Sequence, residues 1–237
     1  MANSEFVTLK VSDGTDMRAY ISRPAGNPKG AMMVFQEIFG INSHIRDVAD
    51  RYAAQGYIAV APELFHRFAP GFECGYSPDE IQKGIGYLGQ LNQPGLEADI
   101  KATFDYAKTQ AAKVGAVGFC MGGRCAFLAG LTVPVNCAVS YYGGGIAPNQ
   151  YMPGLIDRAA EMKAPVLMFW GGKDGMIPPS AVQSVTEALR AAGKEFANVE
   201  FSWADHGFVC DQRGSFNQAA YNQAWPLTLA FLATHIG

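Results

Sequence analysis

The chain has 237 residues, 49% of them hydrophobic and 16% charged, with a formal net charge of −3. A chain of this length buries roughly 70–75% of its unfolded surface without disulfide or metal staples, and its apolar content excludes a disordered segment. The weak acidity and the lack of a Lys/Arg cluster argue against a nucleic-acid partner, and no apolar run approaches the ~18 residues of a membrane span. The start, Met1 to Glu5, has neither the basic flank nor the apolar core of a signal peptide, so the expectation is a soluble, cytoplasmic protein. The five cysteines, Cys74, Cys120, Cys125, Cys137 and Cys210, are odd in number and form no C-x-x-C pair. They read as reduced thiols, most of them small core residues.

In chain order, Glu5–Val11 alternates and breaks at Asp13-Gly14 before Met17–Arg23, which predicts an antiparallel hairpin. Six apolar runs follow: Ala31–Phe35, Tyr57–Ala61, Lys113–Phe119, Val135–Tyr142, Pro165–Trp170 and Asn198–Trp203. Runs of this kind predict strands buried on both faces. Between them, Ile45, Val48, Ala49 and Tyr52 keep helical spacing and stop at Gly56. Ile100, Phe104 and Ala107 mark a second helix after Pro94-Gly95. Val182, Val185, Ala188 and Leu189 mark another after Pro178-Pro179-Ser180. A last helix runs from Gln218 to Thr234, with Pro226 as a candidate kink. Strands alternating with helices imply βαβ units, hence an α/β fold with a mostly parallel sheet of about eight strands and helices on both faces. With no repeat or linker, residues 1–237 read as one domain. Residues 62–95, richer in Gly, Pro and aromatics, hold only a weak helix at Asp79–Leu88 and read as a mobile cap over a site.

The segment Gly118-Phe119-Cys120-Met121-Gly122-Gly123 follows a strand and precedes a helix carrying Ala126, Phe127, Leu128 and Ala129. A strand-to-helix turn this sharp strains its central residue and brings the residues two before and two after it together, where only glycines fit. The central side chain then sits at the mouth of the sheet, where a helix N-terminus and backbone N–H groups favour a thiolate. A Walker loop is a poorer reading, since Arg124-Cys125 replaces Lys-Ser/Thr. A plain Gly-rich turn with a buried thiol is the alternative for this segment alone.

A nucleophile elbow requires an acid after a later strand and a histidine after the last one. Asp174 lies just beyond Pro165–Trp170, and His206 just beyond Asn198–Trp203. The order Cys120, Asp174, His206 is the one this fold uses. Of the four histidines, His44, His66 and His235 read as surface or capping residues.

With these residues in place, the sequence resembles the dienelactone hydrolase (carboxymethylenebutenolidase) family of α/β-hydrolases over nearly its whole length. The matching segments are Gln36-Glu37-Ile38-Phe39-Gly40, Ala61-Pro62-Glu63-Leu64-Phe65, the cysteine elbow, Tyr141-Tyr142-Gly143 and His206-Gly207-Phe208. The resemblance implies opening of an enol lactone to maleylacetate in the breakdown of (chloro)catechols, with no cofactor and no metal. It implies that Glu37 approaches the Cys120 thiol when substrate arrives, and that the N–H groups of Ile38 and Met121 form the oxyanion hole. Phe39, Tyr141, Tyr142 and Arg213 are the candidate substrate contacts, with one tyrosine of the pair facing the site because strand neighbours point oppositely. There is one departure. Family members grip the substrate carboxylate with arginines, one of them four residues past the catalytic histidine, and here that position is Cys210. Arg213 is the next arginine, readable equally as a structural salt-bridge partner or as the carboxylate clamp, and the cap offers Arg67 and Lys83.

The expected reaction is attack by Cys120 on a lactone carbonyl, oxyanion stabilisation on the order of 3 kcal/mol per donor, and release of the acyl group by water activated at His206. Asp174 would fix the imidazole tautomer. An esterase or thioesterase acting on another small acyl compound is the nearest alternative, and a redox-responsive thiol protein on a hydrolase scaffold is a distant one. The expected partner is a small lactone or ester, with no nucleic acid and no membrane, and the chain is taken as a monomer.

Overall fold

The N-terminal alternation forms an antiparallel pair, β1 (Asn3–Lys10) and β2 (Asp16–Arg23). The computed structural model describes residues 3–237. The apolar runs become β3 (Gly30–Phe35), β4 (Tyr57–Pro62), β5 (Val114–Phe119), β6 (Cys137–Tyr141), β7 (Val166–Gly171) and β8 (Phe196–Phe201). They make one eight-stranded sheet in the order β1-β2-β4-β3-β5-β6-β7-β8, with β2 the only reversed strand. This is the α/β-hydrolase fold.

Strands β3 to β7 are buried at every residue, as near-continuous apolar runs between two helical layers should be. The last strand departs from that expectation. It pairs only with β7, and Ala197, Asn198 and Glu200 are exposed. An edge strand has one neighbour, and its polar residues mark the uncovered side.

The described residues hold six α-helices, five between strands and one after the last: α1 (Ser43–Ala54), α2 (Pro78–Leu88), α3 (Gln93–Gln110), α4 (Met121–Thr132), α5 (Pro179–Ala191) and α6 (Gln218–His235). Asparagine side chains cap three of them: Asn42 accepts from Ile45 N (3.3 Å), Asn92 from Gly95 N (2.9 Å) and Asn217 from Ala220 N (3.0 Å). α6 runs on through Pro226, and a 3₁₀ turn at Ile156–Glu161 was not foreseen in the sequence. α1 and α6 cover one face, where Tyr52 meets Trp225 with ring centroids 5.0 Å apart, and α3 to α5 cover the other. No helix among the described residues is long and apolar enough to cross a membrane.

The topology decides where a ligand can bind. From β3 the chain moves to β4 on one side, and β5 then returns to the other side of β3. The loops leaving β3 and β5 therefore diverge, and the crevice between them lies at the carboxyl ends of the parallel strands.

Candidate active site

Cys120 occupies that crevice. It is the residue between β5 and α4, with φ 56° and ψ −120°, one of two non-glycine residues with positive φ among the described residues. The strain is held by close packing. A Cβ on Gly118 would stand 1.8 Å from the Gly122 carbonyl oxygen, and one on Gly122 would stand 2.2 Å from that of Phe35. The two glycines let the start of α4 lie directly on the ends of β5 and β3. Cys120 is half-buried, whereas Cys125, Cys137 and Cys210 are buried and Cys74 packs under the cap. Burial pushes the Cys125, Cys137 and Cys210 thiols up to about 12 and that of Cys74 to about 11, so they stay protonated and unreactive. All five cysteines are unpaired.

Asp174 and His206 lie at the next strand ends and are brought together. Asp174 Oδ1 accepts the N–H groups of Met176 (2.8 Å) and Ile177 (3.2 Å), and its Oδ2 lies 2.7 Å from His206 Nδ1. The carboxylate thus fixes Nδ1 as the protonated nitrogen and turns Nε2 toward the crevice, where it has no aligned hydrogen-bond partner. The Tyr142 ring backs the imidazole at 5.0 Å. Burial alone would lower the proton affinity of His206. The Cys120 sulfur and the Asp174 carboxylate outweigh it and push the pKa up to about 10. Unfolded histidine titrates near 6.5, so the folded state binds the extra proton between about pH 6.5 and 10. The stability that His206 confers is therefore complete below pH 6.5 and is lost as pH rises toward 10. Urea unfolding of the wild type and His206→Gln should show the gap between them closing over that interval.

The loop after β3 forms the other side of the crevice. Gln36 is fully buried: its Oε1 accepts from Leu64 N (3.2 Å) and its Nε2 donates to the Glu37 carbonyl (3.3 Å), which ties the loop to the start of the cap segment. Met121 is the first residue of α4, so its N–H is one of the helix's orphan donors, and Ile38 and Met121 both line the cavity. The α2 backbone sits on this loop because Gly84 has no side chain; a Cβ there would lie 2.6 Å from the Ile38 carbonyl oxygen. A bridge between Gly40 and Glu73, and bonds from Asn42 Nδ2 to Cys74 O and Tyr76 Oη, add to the attachment of residues 63–92.

Glu37 is buried and faces Arg213, whose Nη1 donates to Oε1 at 3.0 Å, while Oε2 has no partner. The guanidinium lies over the rings of Phe39 (5.6 Å) and Tyr76 (5.8 Å). His44 and Cys210 bring their side-chain atoms within 4.8 Å of the Glu37 carboxylate, a buried cluster that the sequence did not reveal. Two histidine readings need correction. His44 is fully buried with neither ring nitrogen bonded, and His66 is buried with Nε2 3.1 Å from Asp99 Oδ1. Position in the sequence put both on loops or helix starts, but His44 packs beside Phe119, Glu37 and Cys210, and His66 packs against α3 at Asp99.

Of the tyrosine pair, Tyr141 is the one that does not belong to the site. Its hydroxyl lies 2.6 Å from Thr228 Oγ1 on α6, behind the sheet. Tyr142, with φ 39°, turns to the site side but lies beneath His206, with its hydroxyl buried and unpartnered. Arg67 is committed elsewhere, forking onto Asp99 at 2.8 Å and bonding Asp13, and Lys83 rests its ammonium over the Phe72 ring at 5.3 Å. Phe39 and Arg213 do reach the cavity, whose volume is about 460 Å³. Cys120 and His206 open onto its floor, and Ile81, Ile85 and Leu88 of α2 form one wall. The i, i+4, i+7 spacing of those three was legible as a helix face, but nothing in sequence indicated what it would cover. The opposite wall is the 144–152 loop, pinned by buried Arg124, whose Nε and Nη2 donate to the carbonyls of Gly145 (3.0 Å) and Pro153 (3.1 Å).

This geometry can be set beside that of known proteins. The profile of the dienelactone hydrolase family matches residues 17–236. The chain belongs to the dienelactone hydrolase family. The carboxymethylenebutenolidase of Pseudomonas putida is 32% identical over 240 residues, 94% of this chain and 97% of the relative. A Synechocystis protein named "Putative carboxymethylenebutenolidase" is 37% identical over 214 residues, 87% of each chain. The crystal structure of a "Putative Dienelactone Hydrolase" from Klebsiella pneumoniae superposes with a TM-score of 0.87 at 30% identity, covering 98% of this chain and 99% of that one. Membership makes this protein a carboxylic ester hydrolase of the family's class.

Proposed function

We propose that the protein hydrolyses a small activated ester or enol lactone by covalent catalysis at Cys120. The observation that carries this reading is the strained elbow placing a half-buried thiol beside the His206–Asp174 pair at the carboxyl ends of β5, β7 and β8. The relatives' names put lactones of the carboxymethylenebutenolide type among the candidate substrates.

The high proton affinity of His206 makes it the acceptor for the Cys120 proton. The thiolate adds to the carbonyl carbon, and the oxyanion that forms is met by the N–H groups of Ile38 and Met121. Collapse breaks the acyl C–O bond, and the departing alkoxide or enolate takes the proton from Nε2. A water then gives its proton to Nε2 and adds to the thioester, and expulsion of the thiolate releases the acid. Asp174 holds the tautomer throughout. Buried Glu37 pairs with half-buried Arg213, which lines the same cavity as the thiol. The resemblance gives Glu37 a second role as proton acceptor, which requires the carboxylate to leave Arg213.

Acid quenching during the first turnovers of p-nitrophenyl valerate should leave a valeryl group on the peptide containing Cys120, detected by mass spectrometry. In His206→Gln the adduct should persist at least tenfold longer. Turnover with no adduct on Cys120 in either protein would sink the proposal.

A further inference from the structure

Outside the cavity lining, three segments far apart in sequence converge on one buried spot. Glu37 stands in the loop after β3, His44 is the second residue of α1, and Cys210 lies between β8 and α6. One side-chain ligand atom from each lies within 4.8 Å of the other two, and all three residues are buried. Among the described residues no other three His, Cys, Asp or Glu side chains converge in this way. None of the three lines the cavity onto which Cys120 and His206 open.

This cluster is short of partners. His44 is fully buried and neither ring nitrogen is hydrogen-bonded. Burial lowers its proton affinity, so the ring is neutral and one nitrogen carries a free lone pair. Glu37 spends Oε1 on Arg213 Nη1 at 3.0 Å and leaves Oε2 bare. Buried polar atoms are nearly always satisfied, so bare ones gathered at one spot point to a group that takes up their lone pairs. The Cys210 thiol donates to Tyr76 Oη at 3.3 Å, and Asn42 Nδ2 donates to the same oxygen at 3.1 Å. Once the thiol has lost its proton, the Tyr76 hydroxyl can turn its own proton to the sulfur, so a thiolate here keeps a hydrogen bond. Asp211 Oδ1 stands 3.8 Å from His44 Nδ1 and is placed to orient the ring while Nε2 binds. Its side chain is 38% exposed, which puts solvent within one residue of the cluster.

An imidazole, a thiolate and a single carboxylate suit Zn²⁺ or Co²⁺, whereas Mg²⁺ and Ca²⁺ take sets of oxygens. Around a tetrahedral Zn²⁺ neighbouring ligand atoms stand roughly 3.3–3.6 Å apart, so the cluster has to contract by about 1 Å, within the reach of side-chain rotation. Arg213 can stay on Oε1 while Oε2 meets the ion.

We infer that Glu37, His44 and Cys210 form a binding site for a thiophilic divalent cation of the Zn²⁺ type, separate from the Cys120–His206 pair and with its fourth position open. Binding forms the metal–sulfur bond and releases the Cys210 proton to solvent, with no change of oxidation state.

The test titrates Co²⁺ into the Cys120→Ala protein, which lacks the thiol of the hydrolytic centre. One Co²⁺ should bind per chain with a thiolate-to-cobalt charge-transfer band, and Zn²⁺ should displace it and raise Tm. Cys210→Ser should abolish the band, and Cys74→Ser should leave it unchanged. Loss of an outer partner alone weakens a metal site by about 10–100-fold, so His44→Gln, which removes a ligand, should weaken binding by at least ~100-fold. A missing band in the parent protein, or one that survives in Cys210→Ser, overturns the inference. If the ligand variants do not fold, X-ray absorption of Zn²⁺-loaded protein carrying Cys120→Ala and Cys74→Ser decides: one sulfur among nitrogen and oxygen neighbours supports the site, and any other sulfur count overturns it. These readouts use no turnover, so they stand whether or not the hydrolytic proposal does.

Discussion

Cys120→Ala should reduce kcat/KM for activated esters by at least ~10³-fold while leaving the fold intact. The substitution removes only the sulfur, which lines the cavity beside His206 rather than packing in the core. Alanine keeps the Cβ, so it meets the same backbone strain at φ 56° that cysteine already bears. The packing that holds the elbow comes from Gly118, Gly122 and the ends of β3 and β5, none of which is altered. Circular-dichroism melting should therefore place the variant within a few degrees of the wild type. Any residual rate reflects oxyanion donors and binding alone. A variant that keeps its activity would show that the ester bond is broken elsewhere, and one that loses both activity and fold would show that the thiol is structural.

Gly118→Ala should cost at least ~3 kcal/mol of stability and leave little soluble protein, although the added group is one methyl. The atoms it would meet are the Gly122 carbonyl oxygen at 1.8 Å, the Gly122 carbonyl carbon at 2.2 Å and the Gly123 nitrogen at 2.9 Å. All three are backbone in the first turn of α4, so relief requires the helix to back away from β5, opening the elbow and shifting the Met121 N–H with it. Gly86→Ala is the matched comparison. Gly86 lies in α2 with nothing within 4 Å of an added Cβ, so alanine there should be neutral or stabilise by about 0.4–1 kcal/mol. Urea midpoints of the two variants measure the contrast. Similar values would mean that the elbow tolerates more space than its contacts indicate.

Much of the fold was legible before any coordinates because local chemistry specifies it. Apolar runs such as Val166–Trp170 suit a strand covered on both faces, and Pro178-Pro179 marks the first turn of a helix, where the missing N–H has no intrahelical partner to lose. The elbow was legible for the same reason: two glycines flanking a cysteine at a strand-to-helix junction encode a close approach of backbone to backbone. The exposed face of β8 was not foreseen, since an edge strand is defined by the neighbour it lacks, and the sequence order of strands does not state which one is last in the sheet.

The site divides along the same line. By itself the sequence determined which residues have chemistry to offer and at which strand ends they stand, because Cys120, Asp174 and His206 follow β5, β7 and β8, the order expected of a nucleophile, an acid and a histidine in this fold. Only the tertiary structure decided who meets whom. Glu37 and Arg213 are 176 residues apart and pair at 3.0 Å, a salt bridge that the sequence offered only as one of two readings of Arg213. Tyr141 and Tyr142 are adjacent, yet one bonds Thr228 behind the sheet and the other supports His206. His44 and His66 carry no sign of burial in their own neighbourhoods and lose their solvent to distant partners, Phe119 and Cys210 for His44 and Asp99 for His66. Pairings of this kind depend on distances between loops that belong to no single repeating pattern. Periodicity could announce the isoleucines of α2, but only the folded chain shows that they face Cys120.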